Sequence, residues 1–360
     1  MTTGQSLADG AVGIALLHLE TGDMDTAFQV LEQAITAGVT IADNASLYYG
    51  APAFAYVLAA FDHPGLENAK AVAAAGTEIV IRHRLEAAHR RIDQRLRPHY
   101  AEFDLIRGLT GLGVALRRIG ASDSLRDVLA YLVRLTEPLD GLPGWWCSTS
   151  RNRDQPVTGG HSNHGMAHGI TGPLALLALS MLDGLEVDGQ RTAITRICQW
   201  LDTWEQHAEG GIWWPEVLTL DELYSGLTHQ PGPLRPSWCY GTPGIARAQQ
   251  LAGRALSDTA RQRNAEVAFA ACVNDPMQLG RLTGRGLCHG TGGVVTVGRR
   301  ITDDALTPVP TAPLVSLHRR TAAEDDEPTG FLDGTAGADL ALRESRTGTK
   351  PPWDACLLLC

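Results

Sequence analysis

The sequence has no run of about 20 apolar residues that would cross a bilayer, and its opening, Met1-Thr-Thr-Gly-Gln-Ser, holds no basic patch followed by an apolar core. The reading therefore has no transmembrane segment and no secretion signal. Positive charge is also short. The formal net charge is −10, which argues against a nucleic-acid backbone as the partner, although an acidic body can still attract a basic peptide. A disulfide framework is absent as well, because the seven cysteines (Cys147, Cys198, Cys239, Cys272, Cys288, Cys356 and Cys360) are odd in number and widely scattered. Cys356-Leu-Leu-Leu-Cys360 imitates a prenylation signal but places its cysteine fifth from the end, not fourth. Asn44-Ala-Ser is a formal glycosylation site with no secretory context. What is left, 44% apolar and 19% charged, is the composition of a soluble, cytoplasmic enzyme.

What the chain does have is a repeat. A Gly-x-x-Gly element followed by an apolar helical stretch occurs at Gly10/Gly13, Gly108/Gly111, Gly169/Gly172, Gly241/Gly244, Gly290/Gly293 and Gly334/Gly337, and a degenerate copy has Gly50 with Ala53 in the second position. Successive first glycines are 40, 58, 61, 72, 49 and 44 residues apart, enough for one helix after the glycines and a second returning the chain to the next copy. Some matches arise by accident among 39 glycines, but not seven that each open a run such as Gly113-Val-Ala-Leu or Gly172-Pro-Leu-Ala-Leu-Leu. A unit of this size cannot bury its apolar face alone and needs its neighbours. The expectation is all-α: an α/α toroid of seven inner and seven outer helices forming one domain over residues 1–360, despite a length that would suggest two.

The stretches after each glycine pair, such as Ile14-Ala-Leu-Leu-His-Leu and Ile245-Ala-Arg-Ala-Gln-Gln-Leu, are rich in Ala and Leu and too apolar for a surface, so they suit the inner ring. Ala69 to His89 and Ile194 to Glu209 mix apolar and charged residues at helical spacing and suit the outer ring. Trp146 to Gly160, Thr228 to Pro236 and the proline-containing Ile301 to Pro328, with its acidic cluster Glu324-Asp-Asp-Glu327, read as loops. The inner helices would all point their N-termini, with unpaired N–H groups, toward one mouth of the ring, where thiolate and enolate anions are favoured.

Three copies carry chemistry at that mouth. Asn163-His-Gly-Met-Ala-His168-Gly, Trp238-Cys-Tyr-Gly and Cys288-His-Gly each place metal-binding or acid/base side chains just before a helix-opening glycine. Cys239, Cys288 and His289 read as three zinc ligands with the fourth position open, as in a catalytic zinc site. Cys288 and His289 are adjacent, so a regular helix would splay them about 100° apart, and both reach one ion only from a turn. The competing reading is two small buried cysteines and a packed histidine. Two thiolates cancel the charge of zinc; an incoming third keeps sulfur electron-rich, so such a centre activates a thiol rather than making hydroxide.

Together these segments, closed by Gly330-Phe-Leu-Asp-Gly and Pro351-Pro-Trp-Asp, resemble the lanthionine synthetase C-like family, the lanthipeptide cyclases, over nearly the whole chain. The resemblance implies an α/α toroid whose zinc binds a cysteine of a precursor peptide. The thiolate adds to a dehydroalanine or dehydrobutyrine of the same peptide and closes a lanthionine or methyllanthionine ring. It further implies that Cys239, Cys288 and His289 hold the zinc, that His168 is the acid/base with Asp104 assisting, and that Arg235, Trp238 and Tyr240 line the site. The addition makes an enolate whose α-carbon must be protonated, and a histidine titrating near neutrality is a suitable donor. Asp104 can orient that imidazole or simply cap its helix. Arg235 can face the enolate oxygen or pair with an acid, Tyr240 can hydrogen-bond the enolate, and Trp238 suits packing.

The partners implied are a dehydrated precursor peptide, with its leader, and a separate dehydratase, since no dehydratase region precedes Gly10. Two other functions stay open: coupling of another thiol such as glutathione to dehydrated residues, and a non-catalytic, zinc-holding peptide scaffold. Prenyl transfer would need a basic diphosphate pocket that the sequence does not show. His161 and His164 read as exposed loop histidines rather than a second metal site, the pairs Trp145-Trp146 and Trp213-Trp214 as core or peptide groove, and Asp9 and Asp333 as caps.

Overall fold

A computed structural model describes residues 3–36, 38–149, 158–323, 325–343 and 352–360. Seven helices follow the seven glycine copies: Ala11–Thr21, Ala51–Leu58, Leu109–Ile119, Thr171–Leu182, Thr242–Leu256, Thr291–Asp304 and Thr335–Ala341. They are called here inner helices 1 to 7. Each touches the next, and the seventh touches the first, so the inner ring is closed. Their burial fits that position. Every residue of Ala51–Leu58 is buried, as is every residue from Thr171 to Ser180 and from Thr242 to Gly253. A helix that is apolar all round has no face to show to water.

Six outer helices return the chain: Met24–Ala34, Glu67–Asp93, Ser122–Leu135, Gln190–Thr203, Thr259–Asn274 and Ala312–Arg320. They bury one stripe only; Ser122–Leu135 hides Leu125, Val128, Leu129, Leu132 and Leu135, spaced three and four apart. The architecture is the expected α/α toroid, with particular differences. Outer helix 4 ends at Thr203, and the rest of the stretch read as helical to Glu209 turns into a hairpin, Gln206–Ala208 against Gly211–Trp213. A second two-stranded ribbon pairs His161–Asn163 with Val217–Thr219. The segment read as a loop from Ile301 to Pro328 contains the end of inner helix 6 and the short outer helix 6; Glu324 lies outside the described residues, as do positions 150–157 of the loop before Gly160.

No seventh outer helix stands among the described residues. Pro351 and the seven positions before it lie outside them, and residues 352–360 pack into the ring. Asp354 to Leu359 are at most 2% exposed. Side chains from around the ring bind this segment: Tyr48 Oη donates to the Cys356 carbonyl (2.8 Å), Tyr56 Oη to that of Trp353 (3.0 Å), Trp238 Nε1 to that of Leu357 (2.9 Å), Arg247 Nε to that of Leu359 (2.9 Å), and Arg300 pairs with Asp354 (2.6 Å).

The turns that precede the inner helices are stitched together by their backbones. Leu105 N donates to Ala167 O (3.1 Å), Ala167 N to Cys239 O (3.4 Å), Cys239 N to Cys288 O (3.2 Å), Cys288 N to Leu332 O (2.9 Å), Leu332 N to Ala8 O (2.8 Å) and Leu7 N to Tyr48 O (3.0 Å). The second glycine of the six complete copies permits this. A Cβ at Gly244 would collide with the Trp238 carbonyl and one at Gly293 with the Leu287 carbonyl, in each case six residues back in the same turn. The mouth of the ring is thus a circle of equivalent backbone positions whose side chains differ.

Candidate functional site

On that circle, copies 5 and 6 bring Cys239, Cys288 and His289 together. Their ligand atoms all lie within 4.8 Å of one another, and this is the one cluster of three or more potential metal ligands found among the described residues. The Cys239 N to Cys288 O bond fixes the spacing of the two sulfurs across adjacent copies. Cys239 is buried, Cys288 is partly exposed and the His289 ring is about half exposed, so the cluster opens toward the mouth. Two thiolates and an imidazole at this separation fit a tetrahedral zinc at about 2.0–2.3 Å from each, with one position left over.

The three groups shift one another. Hydrogen bonding from Cys288, then from His289 and Ser237, holds the Cys239 thiol well below its ordinary range, whereas the same contact with Cys239, together with burial, pushes Cys288 up. The hydrogen bond to Cys239 raises His289. A cluster that already stabilises a thiolate and a cation is one that a dication relieves.

The two preceding copies bring a histidine and a carboxylate together. His168 Nδ1 lies 2.7 Å from Oδ2 of Asp104, a carboxylate with no exposure. The other oxygen of Asp104 accepts from Arg107 N (2.7 Å) and Gly108 N (2.8 Å). Asp104 therefore caps the turn and faces the imidazole at once, so the two readings of it were not alternatives. The His168 side chain remains 31% exposed at the mouth. Tyr240 lies against it, ring centroids 6.4 Å apart, with its Oη accepting from Asn163 Nδ2 (2.8 Å). Arg235 has a buried Nε with no hydrogen-bond partner and no ion pair among the described residues, and its charge lowers Cys288 and His289. Trp238 is fully buried and packs.

The sequence reading missed two neighbours. Asp333 does not cap its helix: its carboxylate lies 3.4 Å from His289 Nδ1, the kind of contact that orients a ligating imidazole. Beside it a cavity of about 180 Å³ is lined by Arg285, Gly286, His289 and Asp333 among others. Tyr100 meets the His168 ring edge-on at 5.7 Å. Tyr100 belonged to no motif; Asp333, inside Gly330-Phe-Leu-Asp-Gly but read only as a cap, occupies the position before Gly334 that His289 holds before Gly290.

Other expectations are corrected. His161 and His164 are buried, not exposed. His164 has both ring nitrogens engaged: Nδ1 with the Pro215 carbonyl (2.9 Å) and Nε2 as acceptor from Trp200 Nε1 (2.9 Å). It is therefore held neutral, and burial pushes it down to about 4. All four tryptophans of the two Trp pairs are at most 5% exposed, so they form core and no groove. Burial raises Cys147, Cys198, Cys272 and Cys356, in contrast to Cys239.

The family described as lanthionine synthetase C-like protein matches residues 2–358. The nisin biosynthesis protein NisC of Lactococcus lactis subsp. lactis is 24% identical over 254 residues, covering 67% of this chain and 60% of that protein. The structure of a nisin cyclase superposes with a TM-score of 0.86 at 22% identity, over 100% of this chain and 93% of the other. No helix among the described residues is long and apolar enough to cross a membrane. With the family matched along almost its full length and the toroid shared, the chain is a member of the lanthionine synthetase C-like family.

Proposed function

We propose that this chain is a zinc-dependent lanthipeptide cyclase, with residues 1–360 forming one domain, acting in the cytoplasm on a dehydrated precursor peptide. The observation that carries the reading is the convergence of Cys239, Cys288 and His289 next to the His168–Asp104 pair, from consecutive copies of one ring. Zinc held by Cys239, Cys288 and His289 would supply a Lewis acid that turns an incoming peptide thiol into a thiolate at neutral pH.

The peptide sulfur attacks the β-carbon of dehydroalanine or dehydrobutyrine. The C–S bond forms as the C=C π pair moves onto the α-carbon and its carbonyl oxygen. His168, protonated and held at Nδ1 by Asp104, donates from Nε2 to the α-carbon. The thiol has lost one proton and the α-carbon has gained one, so the peptide mass does not change. The backbone bond between Ala167 and Cys239 (3.4 Å) keeps donor and metal cluster in adjacent positions. Tyr240, oriented by Asn163, hydrogen-bonds the developing enolate oxygen, and Arg235 balances its charge. Asp333 orients His289.

Mass spectrometry after thiol alkylation tests this. Incubation of the zinc-loaded protein with a dehydrated, cysteine-containing precursor should leave the mass unchanged while removing alkylatable thiols. Persistence of every thiol would end the proposal, and addition of glutathione mass would favour the other thiol-coupling reading. His168→Asn should keep peptide binding and lose ring closure, whereas a scaffold would lose nothing.

A further inference from the structure

His168 is confined on three sides. Asp104 holds Nδ1 at 2.7 Å, Tyr240 covers one side of the ring at a 32° interplanar angle, and Tyr100 meets it at 78° with centroids 5.7 Å apart. Tyr100 and Asp104 are coupled through one turn of backbone. Asp104 N donates to the Tyr100 carbonyl (2.9 Å) at the end of the short helix Tyr100–Phe103. That turn is itself pinned: His99 Nδ1 accepts from Ala101 N (3.0 Å), and the His99 ring stacks on Tyr100 at 4.4 Å. A carboxylate at one nitrogen fixes where an imidazole pivots but leaves rotation about that contact open. An aromatic edge contact on one side and a tilted ring on the other remove this freedom, and such pairs contribute about 0.5–1.5 kcal/mol beyond burial.

We infer that Tyr100 is a positioning residue for the proton donor: its ring sets the orientation of the His168 imidazole so that Nε2 addresses the substrate α-carbon. The inference rests on the assignment of His168 as that donor. The phenol oxygen of Tyr100 makes no hydrogen bond among the described residues, so the ring carries the effect and the hydroxyl does not. A proton donor that wanders by tens of degrees loses its near-attack geometry, which costs rate and leaves peptide binding unchanged.

Three variants test it in the zinc-loaded protein with the precursor used above. Tyr100→Phe should stay within about twofold of wild type. Tyr100→Leu and Tyr100→Met should lower kcat roughly tenfold to hundredfold with KM and zinc content unchanged, and Tyr100→Leu should cost nothing further in the slow residual rate left by His168→Asn. A residue that merely supports the fold would lower activity in both backgrounds alike, and that result, or a Leu variant within twofold of wild type, overturns the inference. NMR of the histidine-labelled protein reads the same contact without substrate. The His168 ring signals should be single in wild type and in Tyr100→Phe, and shifted and broadened in Tyr100→Leu and Tyr100→Met. Identical spectra would overturn the inference even if the protein cyclises; failure of wild type to cyclise would instead overturn the proposed function and leave the NMR result to decide on Tyr100.

Discussion

The two halves of the mouth share a backbone and differ in everything else. Directly before the first glycine, the seven copies carry Asp9, Tyr49, Arg107, His168, Tyr240, His289 and Asp333, and the same chain of backbone hydrogen bonds runs past both halves. Copies 3 to 6 hold the Asp104–His168 pair, Tyr240 and the Cys239–Cys288–His289 cluster. In the half formed by copies 7, 1 and 2, the positions matching the two cysteines are Leu332, Ala8 and Tyr48. The repeat makes places; a few side chains on one arc make chemistry. Symmetry of the scaffold is therefore no guide to symmetry of function.

Breaking one cysteine should give the largest contrast. Cys288→Ala is expected to abolish zinc binding and lower cyclisation by more than roughly a thousandfold, while Leu332→Ala, its counterpart in copy 7, should keep full zinc content and lose about 2–3 kcal/mol of stability; zinc analysis and urea unfolding read both. Next comes acid. His164 is buried and neutral in the fold with its pKa near 4, against 6.5 when exposed. The unfolded chain therefore binds a proton first, and the stability held above pH 6.5 is lost as pH falls toward 4, by about 3 kcal/mol from this group. His164→Gln should flatten that part of the stability–pH curve.

A smaller effect separates the glycines. Gly293→Ala forces a Cβ onto the Leu287 carbonyl and should cost about 2 kcal/mol; Ala53→Gly, at the copy that already carries a Cβ, should cost about 1 kcal/mol or less, through helix propensity alone. The mildest pair sharpens the comparison at the level of rate. Asp104→Asn should lower kcat roughly thirtyfold, about 2 kcal/mol, and Asp9→Asn in the other half should stay within twofold.

The glycine repeat made the inner ring legible because in six copies a backbone collision punishes a side chain six positions after the carbonyl, and the convergence of Cys239, Cys288 and His289 was legible because the two cysteines share equivalent positions in adjacent copies and His289 follows Cys288 directly. Three-residue ribbons such as His161–Asn163 were not, since so short a segment carries no periodicity. Burial of His161 and His164 was hidden because loop sequence does not reveal that the chain passes beneath Trp200. Tyr100 was hidden because it reaches His168 from the segment before copy 3, and Asp333 because an aspartate before a helix reads as a cap unless the histidine across from it is seen. The role of residues 352–360 was masked by their composition: Leu357-Leu-Leu looks like any apolar run.

That last segment has a kinetic meaning. Tyr48 and Tyr56 bond to it across sequence separations of 308 and 297 residues, so the ring acquires its keystone only after all seven glycine copies have been laid down. Contacts of such long range are slow to form because the chain between their ends must first be gathered in. The Cys356 amide, which donates to Tyr56 Oη at 2.9 Å, should exchange its hydrogen only on global opening, and the last phase of refolding should be the seating of this plug.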